Sequence, residues 1–499
     1  MQRDDHLPLG QIYGDKKTLL KSIDKIIRLA LVKATDDEPL QLRFLRPISP
    51  NNRLKHEEYV DLELTSAKEH TQGLIYTTVS YCWNHAQIER EEMQVPEYRI
   101  WDASGPRQAP RQIRCPKLVL HRALRFSRGQ GCQYLWIDQE CINQDDPADI
   151  ERHLQTMHRI YRESRWTVVT LSHTITADDS WTTLVLRPYA LLDPDSSTYD
   201  IAVKDLVQSL NYISTDRWFT RTWTLQEKQC ASILKFLIPI NKGVYEPEDV
   251  PSLVVGNDLC IDAERLSWAA RLGNTGNIKE RLNLIDMPGF KGRGQPSGEE
   301  LSSIALFIHA MNSCDNLVIS DRISIFANAC NFRYRLLSNR LDRSGISYVM
   351  CLIVLILANL IGDIKEVKER IATTWDEISS YNMLANPALI LTILFRIKRL
   401  SYKKDSDTEF WKFLRMELRS AENQRYSSGE IESAYSSIVL GGHGLEDLGQ
   451  EEHPDEYLEQ HFGLNAQQGK QPQDLLRGRR QDALYRLYRQ LAQLFRRSP

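Results

Sequence analysis

The sequence predicts an α/β protein, with a doubly wound parallel sheet in the first half and a mostly α-helical C-terminal region after it. Three observations carry that expectation. Short β-rich apolar runs at 74–81, 134–137 and 166–171 alternate with segments of helical spacing, which implies parallel strands joined by helical crossovers. Beyond the loop 289–298, which holds Gly289, Gly292, Gly294, Pro296 and Gly298, the periodicity is helical. At 499 residues, with 42% apolar and 26% charged residues, the chain has a globular composition and exceeds one ordinary core.

Each element has a local reason. Leu19, Leu20, Ile23, Ile26, Ile27 and Ala30 fall on one helical face, so a helix is expected over 16–34. Residues 40–45 and 59–64 alternate apolar and polar side chains and read as strands, paired as a hairpin across 47–52. Pro116 starts a helix whose Leu120, Ala123 and Leu124 share a face. Asp146 caps another with Pro147 in its first turn, and Ile150, Leu154, Met157 and Tyr161 recur at helical spacing. Residues 173–215 carry no firm pattern, and 217–230 read as a further helix. Downstream, Ile364, Val367, Ile371, Trp375 and Ile378 line an amphipathic helix.

These elements divide the chain into an N-terminal helical segment (1–39), an α/β domain (40–230) and a connecting region ending in the Gly-rich linker (231–298). A helical domain (299–442) and a polar tail (443–499) follow. The linker lacks the Gly-Lys-Ser/Thr ending of a phosphate-binding loop and receives no nucleotide role. The apolar run 348–358 is broken by Asn359 and Gly362-Asp363. It falls short of the roughly 20 residues of a membrane span, so a buried helix is expected and no transmembrane segment; the run 388–395 is shorter still. In the tail, acidic residues at 446–459 precede arginines at 477–497, where Leu484, Leu487, Tyr488, Leu491 and Leu494 form an apolar stripe. That basic helix suits docking on the protein's own body, then a partner protein, then a membrane surface.

The formal net charge of −3 supplies no bulk field toward nucleic acid or anionic lipid. The nine cysteines have no CxxC or Cys/His spacing for zinc. Their odd number and the absence of an apolar signal core in residues 1–6 point to a reducing, cytoplasmic location.

The densest chemistry is Leu135-Trp136-Ile137-Asp138-Gln139-Glu140-Cys141-Ile142-Asn143-Gln144, where an apolar strand runs into carboxylates, amides and a thiol. In an open α/β sheet, ligands bind at the carboxyl ends of the strands. Asp138 can there bind a hydroxyl or cap the next segment. Tyr81 and Trp83 can line the same crevice or belong to the core. Glu140 shares a face with Asp138 only if the strand continues, so a paired-carboxylate site is doubtful. Cys141 reads as a small buried hydrophobe. His153 and His158, five residues apart on a helix, do not form a metal pair.

Three segments, in order, resemble the heterokaryon incompatibility (HET) domain of filamentous fungi. Tyr76-Thr77-Thr78-Val79-Ser80-Tyr81-Cys82-Trp83 is similar to the family's Y-x-A-L-S-Y-x-W-G. The segment 135–144, with Met157 and Ile160-Tyr161 downstream, is the second. Arg221-Thr222-Trp223-Thr224-Leu225-Gln226-Glu227 is similar to R-x-W-T-x-Q-E. The likeness spans 76–228; the family's glycine after the first-motif tryptophan is Asn84 here, a residue that tolerates a left-handed backbone better than most. Residues 40–45 are similar to a strand that often precedes the domain, and 321–328 and 357–363 to segments that follow it.

The resemblance implies a role in fungal non-self recognition (vegetative incompatibility) and programmed cell death. It also implies a distant TIR-like, flavodoxin-like fold, some TIR domains cleaving NAD. The helix of Trp223 and Glu227 is similar to the TIR helix W-C-x-x-E, whose glutamate is catalytic in the NAD-cleaving members. Glu227 then becomes the candidate catalyst, against a structural carboxylate holding Arg221 or a loop amide. Ser80, Tyr81, Trp83, Asp138, Arg221 and Trp223 become candidate substrate-binding residues, with NAD as substrate and no metal or cofactor. The alternative is a non-enzymatic module that self-associates into a homo-oligomer or recruits a recognition partner protein.

Overall fold

The computed structural model describes residues 1–34, 39–48, 59–67, 73–83, 95–103, 109–175, 199–240, 254–272 and most of 304–379. Asn84, the Gly-rich linker, the run 388–395 and the whole polar tail with its basic helix lie outside the described residues.

The strands are β1 (Leu31–Lys33), β2 (Leu45–Pro47), β3 (Tyr59–Leu64), β4 (Tyr76–Ser80), β5 (Glu97–Asp102) and β6 (Arg111–Gln112). They continue with β7 (Tyr134–Trp136), β8 (Trp166–Thr170), β9 (Leu234–Pro239), β10 (Val254–Val255), β11 (Asp258–Asp262) and β12 (Tyr334–Leu336). Ten of them form one sheet in the order β10-β11-β9-β8-β4-β7-β2-β3-β5-β6. Its centre is parallel: β4 pairs with β7 on one side and β8 on the other, and β8 pairs with β9. Counted along the chain, those four strands stand in the order 2-1-3-4.

The expectation of a parallel sheet therefore holds at the centre and for β3 with β5, and fails elsewhere at the flanks. β11 and β10 add antiparallel beyond β9, and β2 adds antiparallel to β7. The hairpin-like pairing of β2 with β3 is present, Leu45 facing Leu64. Its first strand is shorter than expected, because residues 40–44 are extended outside the ladder while still burying Leu40, Leu42 and Phe44.

The helix Lys117–Gly129 packs on β7 and β8, whereas Pro147–Glu163 and Thr222–Cys230 pack on each other. Asp146 accepts from the Ala148 amide at 2.9 Å with Pro147 in the first turn. Asp146→Ala should lower stability by about 1 kcal/mol, read as an earlier urea midpoint with an unchanged slope.

Three helix expectations need correction. The first helix ends at Ala30, and residues 31–33 leave it to pair antiparallel with β12; β-branched Val32 finds its partner some 300 residues away, beyond any local periodicity. The segment 217–230 is a 3-10 turn (Arg217–Thr220) followed by a helix (Thr222–Cys230). Between them Arg221 is extended and bridges to Asp315. The unpatterned stretch 173–215 contains the helix Tyr199–Ser214, whose Leu206, Leu210 and Ile213 are buried against β8, β9 and β11 residues.

The apolar run at 348 is the helix Tyr348–Ile361, twelve of whose residues are buried. No single helix among the described residues is long and apolar enough to cross a membrane. Its core also contains Leu19, Ile23, Ile26 and Ala30 of the first helix and Ile323, Ile325 and Phe326 of Asp321–Ala329. At roughly 1.5–3 kcal/mol per fully buried large apolar side chain, this shared core ties the N-terminal helix to the helical region. All nine cysteines are free, Cys141 fully buried.

Candidate functional site

The strand order reverses between β4 and β8, the position at which open α/β sheets bind their ligands. β4 ends on Ser80, which is fully buried. Its Oγ accepts from Trp218 Nε1 at 2.7 Å and donates to the Glu227 carboxyl. The Tyr161 hydroxyl, from the Pro147–Glu163 helix, lies beside Glu227 and donates to the Val79 carbonyl at 3.4 Å. Glu227 lies in the Thr222–Cys230 helix and is 6% exposed. Burial pushes its carboxyl up to about 8; the Asp138 charge adds to the rise, while Ser80, Tyr161 and the Arg221 charge oppose it. An acid with neutral hydrogen-bond partners in a dry setting keeps its proton at neutral pH, and a cationic neighbour would take it off.

Asp138 begins a one-turn helix directly after β7 and Ile137. Tyr81 Oη donates to its Oδ1 at 2.9 Å, Trp83 Nε1 to its Oδ2 at 2.6 Å, and the Gln139 amide to its Oδ1 at 2.7 Å. Burial raises its carboxyl against these hydrogen bonds. Trp83 is 48% exposed and forms the rim of this group. Glu140 goes elsewhere: it accepts from the amides of Arg114 and Cys115 and pairs with Arg111 Nη1 at 2.6 Å. It anchors the segment before the Lys117–Gly129 helix and does not pair with Asp138.

The structure thus brings Ser80 to Glu227, and Tyr81 and Trp83 to Asp138, and the Asp138 charge acts on Glu227. Arg221 stands half-buried at the start of the Glu227 helix. Trp223 Nε1 donates to Asp321 Oδ2 at 3.3 Å, and its ring lies against both the sheet core and the helical core. Burial pushes Asp321 up to about 6. His153 and His158 are core residues; burial and the Arg335 charge hold the His158 ring down at about 2.

Sequence reasoning missed Trp218 and Asp216. Asp216 is buried and accepts from the Trp218 amide at 2.9 Å through Oδ1. Its Oδ2 accepts from the Ser172 and His173 amides at 2.6 and 2.9 Å. The cap pattern of Asp216 before Arg217-Trp218-Phe219 was the available signal. Cys82 beside this group has its thiol pushed up to about 12 by burial, so it is no nucleophile.

An α/β domain with buried acids and hydroxyls at the carboxyl ends of its parallel strands is the class that fold and site define. Residues 76–227 match the family model described as Heterokaryon incompatibility protein (HET). Over these residues the chain carries a HET domain, and that domain implies a role in heterokaryon incompatibility. No curated protein and no solved structure matches the chain.

Proposed function

We propose that this HET domain acts in fungal non-self recognition and cell death by cleaving NAD at the nicotinamide–ribose bond, with Glu227 as the acid beside the ribose. The observation that carries the reading is the buried Glu227 carboxyl, held by Ser80 beside Tyr161 rather than by an ion pair, at the point where the strand order reverses. The order 2-1-3-4 is that of flavodoxin-like sheets, which bind ligands at this address, and it supports the TIR comparison.

Bond cleavage places positive charge on the ribose, as in glycoside hydrolysis. A carboxyl that is neutral in the empty site ionises when that cation forms, and the dry setting strengthens the attraction. To Asp138, with Tyr81 and Trp83, we assign the binding of hydroxyls or the adenine ring. Purified protein incubated with NAD should release nicotinamide, and Glu227→Ala should not. A second reading, a signalling module that oligomerises or recruits a partner without chemistry, is favoured by the near-complete burial of Glu227. A concentrated, oligomerised sample with no nicotinamide release decides for it.

A further inference from the structure

We propose that His173 is the general base that activates water at the carboxyl ends of β4 and β8, oriented by Ser172 and Asp216. The inference rests on the NAD-cleaving reading and adds to it the group that takes the water's proton.

His173 follows β8 by three residues, beside the point where the strand order reverses. Its Nδ1 lies 3.2 Å from Asp216 Oδ2 and 3.4 Å from Ser172 Oγ. Ser172 Oγ donates its single proton to Asp216 Oδ2 at 2.7 Å. A hydroxyl has one proton to give, so toward His173 that oxygen can only accept. The ring proton therefore sits on Nδ1, and Nε2 carries the lone pair. Nε2 has no hydrogen-bond partner among the described residues, and the side chain is 28% exposed. Tyr212, from the helix Tyr199–Ser214, holds the ring by an aromatic contact with centroids 5.0 Å apart. Asp216 and Tyr212 are the titratable groups facing the imidazole from the elements packed on it.

This is the arrangement of a base held by an acid: one nitrogen fixed by a buried carboxylate and its serine, the other without a partner among the described residues. A continuous connection leads to Glu227, because Asp216 holds the Trp218 amide while the Trp218 indole holds Ser80, and Ser80 holds the acid. In the step, the ribose C1′–nitrogen bond breaks with its electron pair leaving on nicotinamide. A water oxygen bonds C1′, and the water's proton passes to His173 Nε2 and then to solvent. Glu227 balances the positive charge on the sugar meanwhile. No oxidant or metal enters the balance.

The test uses the full chain with His173→Ala and His173→Gln, assayed for nicotinamide release between pH 5 and 9, with ¹⁵N NMR of the wild-type imidazole. Expected are a fall in kcat of about 100-fold with KM within about twofold, partial rescue by added imidazole, and a protonated Nδ1. Unchanged kcat and pH profile in both variants, or a protonated Nε2, overturns the proposal while leaving NAD cleavage standing. A loss that imidazole does not restore and that tracks a lowered melting temperature also overturns it, since that is the mark of a loop staple. Wild-type protein without turnover removes both readings together.

Discussion

Glu227→Gln should abolish NAD turnover and at the same time make the protein more stable at neutral pH. The acid is pushed up to about 8 in the folded chain from an ordinary value of 4.5. Below 4.5 both folded and unfolded chains hold the proton. Between 4.5 and 8 the unfolded chain has released it while the folded chain keeps it, so stability falls as pH rises through that window and the loss is complete above 8. Each tenfold difference in proton affinity is worth about 1.4 kcal/mol, which puts the wild-type penalty near pH 7 at about 3 kcal/mol. Glutamine keeps an oxygen for the Ser80 hydroxyl and cannot ionise, so the variant lacks this slope. Thermal melts at pH 5 to 8 measure it, and parallel curves for wild type and variant would show that Glu227 is ionised in the folded protein. Turnover that needs the carboxylate should rise with pH toward 8 in the wild type and fall by at least about 1000-fold in the variant, the scale of losing one preorganised electrostatic partner.

The second large effect is structural. Arg122 is 3% exposed, and its Nε donates to both oxygens of Asp258 at 2.9 and 3.0 Å. Nη1 and Nη2 each donate at 2.7 Å, to the carbonyls of Leu171 and Leu237. One guanidinium thus fastens the end of β8 and the interior of β9 to the antiparallel β11. Arg122→Met leaves a carboxylate and two carbonyls buried without this donor, a loss of about 3–5 kcal/mol, seen as a large drop in the urea midpoint. Arg122→Met with Asp258→Leu should recover much of it, because the stranded charge is gone. A single substitution costing under 1 kcal/mol would show that water already reaches the pair. Leu171 directly precedes Ser172, so the single variant should also disturb the Ser172–His173–Asp216 group.

Where local pattern decides, the sequence was informative. Asp146-Pro147 starts its helix as read, Tyr76–Ser80 and Trp166–Thr170 form the expected strands, and Tyr348–Ile361 is the buried helix its composition suggests. Long-range pairing was not visible. Nothing near Leu31 announces Leu336, and nothing near Phe236 announces Ile261. Arg221 reads as helical by propensity, yet its backbone bridge to Asp315 pulls it into an extended form. At the site, Asp138 stood out as a carboxylate directly after an apolar strand, while Ser80 and Glu227 stood out through the family resemblance of their segments. The meeting of Ser80 with Glu227 across 147 positions is a product of the sheet alone. Trp218, in a run of aromatics, reads as core and is core, and its indole proton on Ser80 belongs to the tertiary fold.

The pairing of Leu31–Lys33 with Tyr334–Leu336 sets a schedule for synthesis on the ribosome. The amphipathic helix Lys16–Ala30 is made about 300 residues before the segment that covers its apolar stripe. At elongation rates of about 5–20 residues per second, that stripe waits roughly 15–60 s. The α/β domain can condense in the interval, while the nascent first helix stays an open target for chaperones until translation has passed Trp375, the last described residue of its core.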